Sequence, residues 1–229
     1  MSRVAVVIPA YNEADRVGAT AAAARVLPGV DVVVVVDDGS RDATADVARD
    51  AGARVLRYAK NHGKAMAMAV GALEVAEIDR RRPAEGPRHL LFLDADLGAT
   101  AANAGPLIDP VAAGDADMTV AAFANRVKLG GHGFVVRLAG SGIRHATGWT
   151  PAQPLNGQRC LTRAAFEAAR PLARGFGVET AMTIDLKRKG MRVVEVEMAH
   201  RATGGDLPSQ LHRARQFADV ALALAARLH

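Results

Sequence analysis

Apolar runs of strand length alternate with Ala-rich helical stretches through the first half of the chain. The runs are mostly consecutive apolar residues, which is typical of strands covered on both faces within a parallel sheet. Strands that alternate with helices predict right-handed crossovers and an α/β fold class, with a Rossmann-like, mostly parallel sheet flanked by helices. The predicted strands span residues 4–8, 32–36, 54–57 and 90–93. The predicted helices between them end near residues 26, 51 and 77.

The second half of the chain is less regular. Residues 123–155 are rich in Gly and basic side chains, so they are predicted to be irregular. No internal repeat or clean linker divides the chain, and we therefore expect a single domain over residues 1–229. The predicted strands of this half span residues 118–122 and 192–198, and the predicted helices span residues 163–169, 179–189 and 211–228.

Each of the first four predicted strands leads into a polar loop. Because the carboxyl ends of parallel strands meet at one edge of a sheet, these loops should converge where open α/β sheets bind ligands. Asp94 and Asp96 offer hard oxygen ligands that suit Mg²⁺ or Mn²⁺ beside a diphosphate, and an ordinary acidic turn is the alternative. Lys64 at a helix N-terminus adds positive charge where the helix dipole already favours anions. The loops span residues 9–13, 37–40, 61–64 and 94–96.

The net charge limits the kinds of partner that the protein can bind, and the cysteine content indicates its cellular compartment. The 229 residues carry a net charge of +5 and a single cysteine, Cys160. A basic chain indicates anionic partners such as nucleotides, phosphates, nucleic acid or a membrane surface, and charge alone does not choose among them. One cysteine excludes an internal disulfide and indicates a reducing compartment. No run reaches the roughly 20 apolar residues of a membrane span, and no signal peptide is visible, so we expect a cytoplasmic protein.

The four loop sequences resemble those of the family 2 glycosyltransferases, which have the GT-A fold. The matching stretches are residues 8–13, 36–40, 61–64 and 93–96, in the family's order and approximate spacing. The resemblance implies a nucleotide-sugar donor, in the first place a UDP-sugar, and Mg²⁺ or Mn²⁺ as cofactor. Asp96 would be both a catalytic residue and a metal ligand, and Asp38 would meet the base. The implied donor-binding residues are Pro9, Ala10, Tyr11, Glu13, Asp38, Lys64, Asp94 and Ala95.

Two weaker matches lie in the second half of the chain. Residues 175–180 are similar to the segment before the acceptor-side helix of polyprenyl-phosphate sugar synthases. His200 is similar in position to a metal-ligating histidine of glucosyl-3-phosphoglycerate synthases, which makes it a second predicted metal ligand; a surface strand end is the alternative. The resemblance thus divides the chain into a donor half, residues 1–117, and an acceptor half, residues 118–229.

An all-basic interval of the second half indicates the chemistry of the acceptor. No acidic residue occurs between Asp117 and Glu167, whereas several arginines do. Arginine binds phosphate oxygens in bidentate fashion, so we expect a phosphorylated small molecule or a lipid phosphate as acceptor; a solvated basic loop is the alternative. Residues 155–159 depart from the Ser-Gly-Phe-Arg-like turn of the relatives, which leaves the acceptor open. The predicted acceptor-binding residues are Arg126, Arg144, Asn156, Gln158 and Arg159.

Glu179 is the predicted general base if the acceptor is a hydroxyl group, because it opens a helix on the acceptor side. A phosphate acceptor is already anionic and would need no base. A first-turn glutamate stabilised by the helix dipole is the alternative reading of Glu179. The chain lacks the Gln-x-x-Arg-Trp sequence of processive polysaccharide synthases, which favours transfer of a single sugar.

Other functions compete with sugar transfer. A sugar nucleotidyltransferase would carry a Gly-rich loop with Arg and Lys after its first strand, where this chain has residues 9–13. A dinucleotide-binding oxidoreductase would carry Gly-x-Gly-x-x-Gly after a strand, and the sequence does not. A non-catalytic nucleotide-sugar-binding protein stays open. No nucleic-acid partner is expected, while a homodimer and peripheral contact of the C-terminal helix with the inner membrane face stay open.

Overall fold

The first four strands of the chain lie side by side in one half of the sheet, and the last three lie in the other half. The computed structural model describes residues 3–123, 132–198 and 210–227. Its strands are β1 (Val4–Ala10), β2 (Val30–Asp37), β3 (Arg54–Arg57), β4 (His89–Phe92), β5 (Met118–Phe123), β6 (Arg159–Leu161) and β7 (Val193–Met198). Within the described residues they form one sheet with the order β3-β2-β1-β4-β6-β5-β7. Strand β6 is antiparallel to β4 and β5, and the other neighbours are parallel. The predicted α/β fold class is confirmed.

Helices cover both faces of this sheet. They are α1 (Ala14–Arg25), α2 (Thr44–Asp50), α3 (Lys64–Arg80), α4 (Gly105–Ala112), α5 (His132–Thr147), α6 (Arg163–Ala168), α7 (Val178–Arg188) and α8 (Gln210–Ala225). A 3₁₀ segment, Ala95–Ala104, joins β4 to α4. No α-helix among the described residues is long and apolar enough to cross a membrane.

Alternate residues of the central strands enter two separate cores, as the two-residue period of a strand requires. On β1, Val6 and Ile8 belong to the core formed with α1 and α4. Val7 faces the opposite core, which α3, α6 and α7 complete. There, Gly71 of α3 lies so close to the sheet that a Cβ would collide with Val7. The apolar runs of the sequence are continuous because both faces of these strands are buried.

A third apolar cluster corrects the prediction that residues 123–155 are irregular. Helix α5 spans residues 132–147 and packs Ile143 against Ile184 of α7 and Leu224 of α8. Glycines lower helix propensity by about 1 kcal/mol each relative to Ala, which is why the sequence pattern was weak here. At Gly142 a Cβ would collide with Leu224, so the glycine that weakens the local signal is what allows the helices to meet.

Two further elements were missed. Helix α4 has Pro106 in its first turn, where proline is tolerated, and Pro110 in its interior, where a proline ordinarily argues against a helix. Strand β6 has only three residues and begins at Arg159, within a stretch predicted to be a turn. Both elements depend on contacts with distant parts of the chain, since α4 packs on β5 and β6 is inserted between β4 and β5.

Candidate functional site

The loops that follow β1 and β2 are hydrogen-bonded to each other at the carboxyl edge of the sheet. The backbone N–H of Asn12 donates to Ser40 Oγ over 2.9 Å, and that of Glu13 donates to Thr44 Oγ1 over 2.8 Å. Asn12 has a φ of 55°, a left-handed conformation that Asn adopts more readily than most residues. The adjacent Tyr11 ring is 43% exposed, so it is accessible to a ligand.

Asp38 ties this pair of loops to the start of α3. Its backbone N–H donates to the carbonyl of Ala10, which with Pro9 ends β1, over 2.8 Å. The two oxygens of its buried carboxylate accept the backbone N–H groups of His62, over 2.8 Å, and Gly63, over 2.7 Å. Asp38 therefore holds the loop that leads into the first residue of α3, and its predicted contact with a base stays a prediction.

Lys64, the first residue of α3, forms the centre of the site. Its Nζ lies 2.7 Å from Asp94 Oδ1 at the end of β4 and 2.8 Å from Glu179 Oε1 in the first turn of α7. We call this arrangement the Lys64 bridge. Burial lowers the pKa of Lys64, but the charges and hydrogen bonds of the two carboxylates outweigh burial and raise it above its ordinary value. The ammonium group therefore stays protonated, and it brings together three residues that the sequence placed far apart.

Gly157 closes the Lys64 bridge from the second half of the chain. A Cβ at this position would lie 2.5 Å from both Asp94 Oδ1 and Lys64 Nζ. The backbone of residue 157 thus lies directly against the ion pair, and glycine provides the space. Although the sequence pointed to the surrounding turn, it did not single out Gly157, because no sequence pattern distinguishes a close-approach glycine from a loop glycine.

The carboxyl groups of Glu13, which follows β1, and Asp96, which follows β4, interact electrostatically. Burial, and then the negative charge of Asp96, raise the pKa of the Glu13 carboxyl, whereas Arg16 lowers it. No group of three His, Cys, Asp or Glu residues close enough to hold a metal occurs within the parts of the chain that the structure describes. Mg²⁺ is ordinarily held by one or two protein carboxylates together with substrate phosphates, so a small set of hard oxygen ligands fits such a cation.

Thr20 supports the turn that carries Ala95 and Asp96, and sequence reasoning missed it. The buried Thr20 hydroxyl donates to the Ala95 carbonyl over 2.8 Å and accepts the Gly98 backbone N–H over 2.8 Å. Thr20 belongs to the Ala-rich helix α1, where a threonine gives no sign of a distant partner. Ala95 itself is buried and contributes its backbone rather than its side chain to this turn.

Residues 152–158, which we call the acceptor loop, are tied to the sheet from two sides. The Glu195 carboxylate on β7 accepts the backbone N–H groups of Ala152 and Gln153, over 2.8 and 3.0 Å. Asn156 Nδ2 donates to the Ala121 carbonyl of β5 over 2.8 Å, and Asn156 Oδ1 accepts the Gln158 N–H over 2.9 Å. Asn156 and Gln158, both predicted to bind the acceptor, are buried and hold this loop.

Arg159 requires a correction, because none of its surface is exposed. Its Nη1 donates to the Glu179 carbonyl over 3.2 Å, and its Nη2 donates to the Asn156 carbonyl. Burial lowers the pKa of the guanidinium, and the charges of Glu179 and Asp94 oppose that shift. A fully enclosed side chain does not touch an acceptor, so the predicted acceptor contact of Arg159 is replaced by contacts inside the protein.

Arg144 also lies away from the bridge. It is exposed near the end of α5, where Arg188 at the end of α7 donates to the carbonyl of Ala146. Arg188 follows Glu179 by nine residues, which is about 13 Å along a helix axis. The prediction that Arg144 binds the acceptor is therefore not supported by its position. Arg126 and His200, the other predicted ligands of the second half, lie outside the described residues.

Comparison with known proteins yields one family and several relatives. The sequence model of the family described as glycosyl transferase family 2 matches residues 5–159, more than half of the chain. Glycosyltransferase AglJ of Haloferax volcanii is 29% identical over 209 residues, which are 89% of this chain and 65% of that protein. The uncharacterized protein MJ1222 of Methanocaldococcus jannaschii is 26% identical over 201 residues, 83% of this chain and 78% of that protein. The chain thus spans slightly less than two thirds of the length of AglJ.

Solved structures of a mycobacterial enzyme share the fold. Glucosyl-3-phosphoglycerate synthase from Mycobacterium tuberculosis, in complex with Mg²⁺ and UDP, is 25% identical with a TM-score of 0.77 and covers 99% of this chain and 79% of its own. The same enzyme with Mn²⁺, UDP and phosphoglyceric acid is 24% identical with a TM-score of 0.77, covering 99% and 78%. At 24% identity, the similarity to this second structure shows a shared fold and nothing more.

Proposed function

The chain belongs to glycosyl transferase family 2, and from this premise we propose that it moves one sugar from a nucleotide-sugar, in the first place a UDP-sugar, to an acceptor that carries a phosphate group. The observation that carries the proposal is the Lys64 bridge, in which one ammonium group contacts carboxylates from both halves of the chain. A donor half, residues 1–117, then meets an acceptor half, residues 118–229, at one charged centre.

Relatives support this choice of donor and acceptor. The mycobacterial synthase that shares the fold was crystallised with Mn²⁺, UDP-glucose and phosphoglyceric acid. A phosphate-bearing acceptor also suits the interval without acidic residues, between Asp117 and Glu167.

Mg²⁺ or Mn²⁺ would be held by Asp96, with His200 as the second predicted protein ligand. A divalent cation bound there supplies positive charge that neutralises the departing nucleoside diphosphate. The carboxylates of Asp96 and Glu13 support a cation at this place: burial and then the negative charge of Asp96 raise the pKa of Glu13, and a cation would relieve both effects. Mycobacterial structures that contain Mn²⁺ or Mg²⁺ together with UDP support the same two metals.

The charged side chains of the Lys64 bridge are already held in place before the substrates bind. Lys64 holds Asp94 and Glu179 at a fixed separation, so the donor meets groups that need no further reorganisation. Glu179 would accept the proton of a hydroxyl acceptor. A phosphate acceptor arrives deprotonated and would need Glu179 only for orientation. The enclosed position of Glu179, with 5% of its side chain exposed, limits its reach to a group bound against the bridge itself.

A thermal-shift panel tests the donor site. UDP-, GDP- and TDP-sugars are added with and without Mn²⁺, since a ligand that binds only the folded state raises the melting temperature by mass action. At a concentration about 100-fold above Kd the stabilisation is about 2.7 kcal/mol, or about 5 to 10 °C for a chain of this size. If no nucleotide with Mn²⁺ stabilises the protein, the donor site proposed here is wrong.

Asp96→Asn tests the metal and the reaction together. We expect the variant to fold, to lose the Mn²⁺-dependent part of the UDP stabilisation, and to lose at least 100-fold in sugar transfer, because the metal is the main source of charge for the leaving group. Asp50→Asn, an exposed position in the last turn of α2, is the matched control and should behave as wild type. Full activity of Asp96→Asn would contradict the assignment.

The acceptor is tested by transfer assays with phosphoglyceric acid and with a polyprenyl phosphate in detergent. Transfer to the first identifies a small-molecule acceptor, and transfer to the second identifies a lipid phosphate. Release of pyrophosphate from a nucleoside triphosphate and a sugar phosphate would instead identify a nucleotidyltransferase. Binding of UDP-glucose without turnover on any acceptor would favour the non-catalytic binding protein.

A further inference from the structure

Arg159 is a charged side chain enclosed within the protein beside the Lys64 bridge. It opens β6, the antiparallel strand, and none of its surface is exposed. Its two terminal nitrogens donate to main-chain carbonyls, those of Glu179 and Asn156. Its Nε is buried and has no hydrogen-bond partner among the described residues. An arginine with this environment calls for an explanation beyond packing.

Stability alone does not explain the arginine. A buried charge is expensive to desolvate, and replacing buried charged groups by apolar residues of similar volume is often neutral or stabilising. The facing carboxylates of Glu179 and Asp94 offset part of this penalty through their charge. An apolar residue such as Met would fill the same space without leaving a buried N–H unsatisfied. The role of the guanidinium therefore depends on the two segments that its hydrogen bonds connect.

Both hydrogen bonds end at segments that surround the bridge. The Glu179 carbonyl lies in the first turn of α7, and the side chain of Glu179 contacts Lys64 Nζ. The Asn156 carbonyl immediately precedes Gly157, whose backbone lies against the Lys64 and Asp94 side chains. One rigid, planar group thus connects the start of α7 to the acceptor loop through two separate N–H donors whose relative direction is fixed by the guanidinium plane.

We infer that Arg159 is a positioning residue for sugar transfer, which holds the first turn of α7 and the acceptor loop so that Glu179 and Gly157 stay against the Lys64 bridge. This inference rests on the proposed function. It gives Arg159 no contact with either substrate, which separates it from an acceptor-binding residue. The bridge and Arg159 together contain two positive and two negative side chains, so removing the guanidinium also leaves Lys64 alone against two carboxylates.

The test compares Arg159→Met and Arg159→Lys with a control at another buried arginine. Arg88 is also almost fully buried next to a central strand, where its Nε donates to Asp31 Oδ1 over 2.7 Å, and it takes no part in the site. It lies before β4, at the opposite end of that strand from Asp94. Because Arg88 forms ion pairs with Asp31 and Asp79, Arg88→Met measures how the loss of a buried guanidinium and its ion pairs affects stability away from the site.

The measurements are UDP affinity with Mn²⁺, the melting temperature, and kcat and KM for UDP-glucose with phosphoglyceric acid as acceptor probe. For Arg159→Met we expect kcat to fall about 10- to 100-fold, as for a misplacement of up to about 1 Å at a reacting centre. UDP affinity should change less than about threefold, since no donor contact is lost. Arg159→Lys should recover part of kcat, because it retains the charge and one hydrogen bond. Arg88→Met should melt earlier with unchanged kcat.

Three outcomes of these kinetic and stability measurements would overturn the inference. If Arg159→Met has the kcat of the wild type, Arg159 has no positioning role. A rise in acceptor KM with full kcat at saturation identifies an acceptor contact instead. If kcat falls equally in Arg159→Met and Arg88→Met, and in proportion to the fall in melting temperature, the role of Arg159 is purely structural.

A crystal structure of Arg159→Met keeps the inference testable even without turnover. We expect the distance between Lys64 Nζ and Glu179 Oε1, 2.8 Å in the wild type, to lengthen. If that distance is unchanged, Arg159 does not position Glu179. Failure of the proposed function looks different, because the wild type itself would then show neither UDP binding with Mn²⁺ nor sugar transfer.

Discussion

A single methyl group added at Gly157 should disable the site while leaving the fold in place. In Gly157→Ala the new Cβ would lie 2.5 Å from Asp94 Oδ1 and from Lys64 Nζ. Ordinary contacts between such atoms begin about 1 Å further out. Because the atoms in the way are the ends of side chains, the protein can accommodate the methyl group by moving the ion pair rather than the backbone. The damage should therefore fall on function more than on stability.

The two effects have different sizes. Overpacking costs about 1 to 3 kcal/mol, and movable side-chain ends place this change near the lower limit, a fall of about 2 to 4 °C in melting temperature. A displacement of about 1 Å at a reacting centre costs about 100-fold in rate. We therefore expect Gly157→Ala to lose about 100-fold in kcat/KM for UDP-glucose while remaining fully folded at the assay temperature.

Gly140→Ala is the matched control for this substitution. A Cβ at Gly140, inside α5, would meet only Pro154 Cγ, at 3.9 Å, which is an ordinary contact. Replacing a helical glycine by alanine should raise stability by about 0.5 to 1 kcal/mol and leave activity unchanged. Steady-state kinetics and thermal melts of both variants decide the matter. Wild-type kcat/KM in Gly157→Ala would refute this prediction. So would a fall in kcat/KM that is fully explained by a smaller folded fraction of the variant at the assay temperature.

Two further predictions concern the supports of the donor site. Thr20→Val removes the hydroxyl that joins the Ala95 carbonyl to the Gly98 N–H; it should lower stability by about 1 to 3 kcal/mol and weaken Mn²⁺-dependent UDP binding by calorimetry, whereas Thr20→Ser should retain both. Burial and Asp96 raise the pKa of Glu13 in the folded protein above 4.5, so the stability that its protonation contributes is complete below that value and is lost as pH rises through the raised pKa. Without added metal, Glu13→Gln should therefore gain stability relative to wild type as pH rises from about 4 to about 7, the range around an ordinary carboxyl pKa; denaturant unfolding curves that show a constant difference would contradict this.

The donor half could be predicted from the sequence because its signals are local. A strand buried on both faces must be apolar throughout, so β1, β2 and β4 were visible as runs of Val, Ile, Leu and Phe. A parallel sheet places all its carboxyl ends at one edge, so the order of strands and loops in the sequence already predicts that Lys64 and Asp94 lie close together. The family followed from the same loops.

The acceptor half depended on contacts that no local pattern encodes. Helix α5 forms despite three glycines because one of them, Gly142, lets it approach α8. Arg159 was predicted to bind the acceptor, because basic residues are seldom fully buried and an arginine suits a phosphate. The insertion of β6 between β4 and β5 carries it inward.

The sequence by itself thus determined the fold class, the family and the edge at which ligands should bind. Only the tertiary structure decided that Glu179 meets Lys64, that Gly157 lies against their ion pair and that Arg159 supports both segments from inside. The physical reason is that burial and pairing of a polar or charged side chain depend on partners distant in sequence. The pairing of Arg159 with the Glu179 carbonyl spans 20 residues, and that of Thr20 with Ala95 spans 75.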